Sequence, residues 1–79
     1  MSKLRVLGGK DLLKIFDSFG FEQIDQNGSH VKLRRIVNGN RETLTVPKHD
    51  EIDKGLLKQI FLQASQYISE KKLRPLFYT

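Results

Sequence analysis

The chain has 79 residues with no cysteine and two histidines, and fourteen Lys and Arg against nine Asp and Glu leave a net charge of +5. That length holds one modest core in a single domain spanning residues 1–79, and the missing cysteines exclude disulfides and thiolate metal sites. The histidines and carboxylates show no zinc or calcium spacing, so no cofactor is expected, and the positive balance favours polyanionic partners, nucleic acid first. No stretch approaches the roughly 20 apolar residues that span a bilayer, and residues 1–7 lack the apolar run of a signal peptide. The expected location is the cytoplasm, with no membrane among the partners.

Residues 1–7 read as a short extended arm. A helix is predicted over 10–19, where Leu12, Leu13, Ile15, Phe16 and Phe19 form a buried stripe. Gly8-Gly9 precedes it, and Gly20 follows in the left-handed terminal position. Three short strands come next: Phe21 to Gln26, His30 to Val37, and Glu42 to Val46, with Pro47 as the stop. Asn27-Gly28 and Asn38-Gly39-Asn40 are the hairpin turns, because Asn-Gly accepts positive φ at both positions. In the middle strand Val31, Leu33 and Val37 share one face, and His30, Lys32 and Arg34 share the other. Arg35 breaks the alternation and marks a twist, an edge or a bulge.

Asp53 is a suitable N-cap for a second helix over about 54–67, whose stripe is Leu56, Leu57, Ile60, Phe61, Ala64 and Ile68. Ser69-Glu70 starts a short final helix through Leu73, and Pro75 to Tyr78 form an apolar tail that folds back or meets a partner. The order implies a two-layer α+β fold, with helices on one face of a three-stranded antiparallel sheet and the other face open.

The open face carries the candidate chemistry. An imidazole, with an ordinary pKa of about 6.5, serves as base or acid at neutral pH, and cations along the same strand suit a phosphate. His30 is the catalytic candidate, with a solvated strand residue or a turn cap as its structural alternative. Lys32, Arg34, Lys48, Lys10 and Lys54 are the RNA-contact candidates, the last two near helix starts. Ser29 and His49 are secondary candidates, catalytic or structural, and the structural role is favoured for His49. Lys14 and Lys58 read as a solvated helix face. Tyr67 and Tyr78 are the two aromatics that could stack on a base.

Five blocks in order resemble the HicA family of toxins: Gly9-Lys10-Asp11-Leu12-Leu13-Lys14, Phe19-Gly20-Phe21, Gly28-Ser29-His30, Val46-Pro47-Lys48-His49, and Lys54-Gly55-Leu56-Leu57-Lys58-Gln59-Ile60. The resemblance covers roughly residues 8 to 68, and the tail after Ser69 follows no family pattern. It implies a fold like the double-stranded-RNA-binding domain and a ribonuclease that cleaves messenger RNA and halts translation. A cognate HicB-type antitoxin would mask the toxin, and the family's catalytic histidine falls on His30. The alternative reading keeps the fold but not the reaction, as a non-catalytic RNA-binding or partner-binding module.

Overall fold

The computed structural model describes residues 3–79, so the first two residues of the expected arm lie outside the described residues. Its elements are α1 (Gly9–Asp17), β1 (Glu22–Asn27), β2 (His30–Val37), β3 (Asn40–Pro47), α2 (Lys54–Ala64) and α3 (Glu70–Phe77). The strands form one antiparallel sheet in the order β1-β2-β3. Val31, Leu33, Leu44 and Val46 on its inner face join Leu12, Phe16, Leu57, Phe61, Leu73 and Phe77 from the three helices in one core. This is the expected α+β architecture, and the opposite sheet face is open. Among the described residues no helix is long and apolar enough to cross a membrane.

Close approach explains the glycines before α1. A Cβ on Gly8 would lie 2.1 Å from the Asp50 carbonyl oxygen, and one on Gly9 would lie 2.5 Å from that of Pro47. The Gly9 N–H donates to the His49 carbonyl at 2.8 Å, and the Asp11 carboxylate accepts from the Gly8 N–H at 2.8 Å. The start of α1 is thereby seated on the loop that follows β3. The helix ends at Asp17, earlier than the stripe suggests, because Phe19 and Gly20 tighten into a turn closed on Phe16 and Asp17. Gly20 adopts the expected left-handed conformation, with φ of 89°.

The two hairpins differ. Asn38 and Gly39 both have positive φ, 52° and 80°, as a type I′ turn requires. In the first hairpin Asn27 is still paired with His30, so the two-residue turn is Gly28-Ser29 and only Gly28 has positive φ. That is the pattern of a type II′ turn, and it moves the end of β1 one residue beyond the predicted Gln26. β3 is likewise longer than predicted, because Asn40 and Pro47 both pair with β2.

Arg35 marks neither a bulge nor an edge. The bulge lies in β1, where Gln23 opposes Leu33 and Asp25 opposes Lys32, leaving Ile24 as the extra residue. Arg35 keeps the alternation and points to the inner face, its side chain only 17% exposed. Its Nε donates to Glu42 Oε1 at 2.5 Å, Nη1 to the Phe19 carbonyl at 3.0 Å and Nη2 to the Tyr67 carbonyl at 2.7 Å. The guanidinium also lies 4.8 Å from the centroid of the Phe21 ring. One side chain thus ties the segments leaving α1 and α2 to β2 and β3.

α2 begins as predicted, with the Asp53 carboxylate accepting from the Leu56 N–H at 3.1 Å. It ends at Ala64 rather than residue 67, and a turn carries the chain to buried Ile68. α3 runs past the predicted end at Leu73 and through Pro75, because Leu73 and Phe77, one turn apart, are both fully buried. The tail folds back. Leu4 bridges Tyr78, the Arg5 N–H donates to the Phe77 carbonyl at 2.7 Å, and the Thr79 N–H donates to the Lys3 carbonyl at 2.8 Å.

Removing Arg35 strands Glu42 and two carbonyls that have little access to water. Arg35→Ala is expected to cost about 2–3 kcal/mol, and Arg35→Lys to recover only part, since an ammonium cannot reproduce the planar fork. Urea denaturation midpoints measure both, and an unchanged midpoint in the alanine variant would remove this role from Arg35.

Candidate active site

His30 owes its position to the first hairpin. As the first residue of the central strand it pairs with Asn27 on one side and Pro47 on the other. The ladder continues past it, because the Lys48 N–H donates to the Ser29 carbonyl at 2.6 Å. The residue is exposed, and among the described residues its ring makes no hydrogen bond. Ser29 is exposed and joins the site through its backbone.

The imidazole borders a cleft of about 200 Å³ where the end of the sheet meets α2, lined by His30, Thr45, Pro47, Leu56, Gln59, Ile60 and Gln63. Gln59 and Gln63 lie one helical turn apart and are exposed, bringing two amides with donors and acceptors to the same hollow. Sequence reasoning passed over both. Their spacing relative to Leu56 and Ile60 was visible, but nothing local says that this flank of α2 overlooks the start of β2.

Lys32 is the next outer-face residue, about 7 Å along the strand from His30, and Arg34 is about 13 Å away at the strand's rise per residue. A single phosphate next to His30 is therefore within reach of Lys32 but far from Arg34. In the register, Lys32 lies opposite Asp25 and Thr45, and Arg34 lies opposite Glu22 and Thr43. Neither cation forms an ion pair among the described residues. Arg34 instead lines a depression at the other end of the sheet with Gly20 and Glu22.

Lys10, Lys48 and His49 meet in a second cleft of about 360 Å³ at the start of α1, with Gly8, Asp11 and Asp50. His49 does not line the His30 cleft, and its carbonyl, not its ring, accepts the Gly9 N–H that seats α1. Two carboxylates share that hollow with the two lysines. Lys54 is exposed at the first position of α2 and lines neither cleft. Tyr67 and Tyr78 are both half-buried and packed against the core.

A family model described as HicA toxin of bacterial toxin-antitoxin matches residues 9–66. The match opens on the first residue of α1, contains the His30 cleft and all of the second cleft but Gly8, and closes just beyond α2. No curated protein and no solved structure matches the chain.

Gly28 sets the position of His30 through its φ of 62°, a conformation that costs an L-residue about 1–2 kcal/mol. Gly28→Ala is expected to lower stability by about that amount, although no atom crowds the new methyl group. Thermal or urea unfolding measures it, and a variant as stable as the parent would contradict the turn geometry.

Proposed function

This chain belongs to the HicA family of bacterial toxin–antitoxin toxins, and from that premise we propose that it is an endoribonuclease that cleaves messenger RNA at the His30 cleft without a metal ion. The observation that supports this reading most is an exposed imidazole, set by a tight turn at the mouth of a cleft, that neither packs in the core nor caps the turn.

The substrate's own 2′-hydroxyl is the nucleophile. His30 takes its proton, the 2′-oxygen bonds to phosphorus, and the bond from phosphorus to the 5′-oxygen breaks. The products are a 2′,3′-cyclic phosphate and a 5′-hydroxyl. Proton transfer of this kind is worth about 10²–10⁴-fold in rate. Lys32, the nearest cation along the strand, offsets charge on the phosphorane. Gln59 and Gln63 supply amides to ribose or base edges. With His49 bordering the other cleft, water protonates the leaving 5′-oxygen. Lys10, Lys48 and Lys54 contact phosphates away from the scissile bond, and Arg34 holds the strand further along the sheet.

A HicB-type antitoxin would switch the enzyme off by covering the outer sheet face and the mouth of the His30 cleft. The site then acts on cytoplasmic messenger RNA only when that cover is lost.

Two measurements test the scheme. Cleaved RNA should carry 2′,3′-cyclic phosphate and 5′-hydroxyl ends, and a 2′-deoxy residue at the cut should block it; 3′-hydroxyl ends would exclude an internal nucleophile. The distances also rank the cations. Lys32→Ala should lower kcat/KM by about 10–100-fold and Arg34→Ala by less than about fivefold, and the reverse order would displace the scissile phosphate from His30.

A further inference from the structure

The positive charge of this protein is not where the clefts are. Residues 9–66 contain nine Lys and Arg against eight Asp and Glu, a formal charge of only +1. Outside them, Lys3, Arg5, Lys71, Lys72 and Arg74 stand against Glu70 alone, which accounts for +4 of the total +5. These two flanks are far apart in sequence yet form one unit. The arm lies antiparallel to the tail through the Leu4–Tyr78 bridge and the hydrogen bonds joining Arg5 to Phe77 and Thr79 to Lys3. Leu73 and Phe77, both fully buried, fix that unit to the core.

The unit presents more than charge. An open groove of about 610 Å³ runs along α3 and the tail, lined by Glu70, Lys71, Arg74, Pro75, Tyr78 and Thr79. Arg74 is held in place by its pair with Glu70 and by the Phe61 and Tyr78 rings, at 5.6 and 5.0 Å from their centroids. Lys3, Lys71 and Lys72 are exposed and form no ion pair among the described residues. A groove lined by Lys71 and bordered by Tyr78, with Lys3 and Lys72 exposed on the same unit, suits a nucleic-acid strand. It suits a protein partner less well, since lysine is depleted at protein–protein interfaces.

We propose that the arm and α3 form a second RNA surface, which grips the sugar-phosphate backbone and adds salt-dependent affinity to that of the phosphate-contacting cations within the nearly neutral residues 9–66. The inference rests on the ribonuclease reading and assigns a separate part of the substrate to a separate part of the chain. The whole protein measures 38 × 30 × 17 Å, so the groove and the His30 cleft lie within the length of one short RNA strand.

The test measures binding of a short labelled single-stranded RNA across a salt series, in the His30→Ala background so that the probe stays intact. The pair Lys71→Gln and Lys72→Gln is compared with Lys14→Gln and Lys58→Gln, which remove the same charge elsewhere. The flank pair should weaken binding about tenfold near physiological salt and lower the slope of log Kd against log salt by about 1.4, and the other pair should change affinity by less than about twofold. Equal effects of the two pairs would overturn the proposal in favour of bulk charge. Unchanged RNA binding by the flank pair, with weakened capture of the antitoxin, would make this a protein surface. Failure of the His30→Ala protein to bind RNA at all would defeat the ribonuclease reading, and this inference with it.

Discussion

The guanidinium of Arg35 sits where the sheet meets the segments leaving two helices, and it satisfies the Phe19 and Tyr67 carbonyls together with Glu42. The carboxyl ends of α1 and α2 converge there, and each brings partial negative charge and unpaired carbonyls to a place with little water. A cation with a planar fork answers several of those groups at once, which an ammonium could not. The consequence reaches the other end of the sheet. The turn that leaves α2 is held beside Arg35, and the start of the helix is fixed by Asp53 after β3. Gln59 and Gln63 are thereby brought beside His30.

Much of this was legible in the sequence, where local chemistry decides. The Asn38-Gly39 turn, the Asp53 cap, the left-handed Gly20 and the apolar stripes of α1 and α2 each follow from rules acting over a few residues. So does the placement of His30, Lys32 and Arg34 on one face, which needs only the strand's period of two. Three features were not legible, for a shared reason. Arg35 looks like a defect in an apolar alternation because its partners lie up to 32 residues away in sequence. The Ile24 bulge depends on the register of a neighbouring strand. α3 continues through Pro75 because Phe77 finds room in the core, which no propensity reports.

The site shows the same division. Sequence placed five cations and two histidines in the running, and their places in the fold separate them. Lys32 stays near the imidazole, Arg34 does not, and His49 belongs to the cleft with Lys10 and Lys48. In the proposed reaction a single imidazole then has to start the chemistry while water finishes it. Carboxylates opposite both strand cations keep this face from being strongly positive, whereas the uncompensated charge gathers on the arm and α3. The proposed chemistry and the excess positive charge thus sit on different elements of one small body.

The central claim is that His30 itself carries the reaction. Its most direct test incubates purified, partner-free protein with ribosome-free messenger RNA in excess EDTA, beside His30→Ala and His49→Ala variants shown to be folded. Cleavage by the parent and by His49→Ala, and none by His30→Ala, is the expected result. Equal cleavage by His30→Ala, or RNA binding without cleavage by the parent, would contradict it.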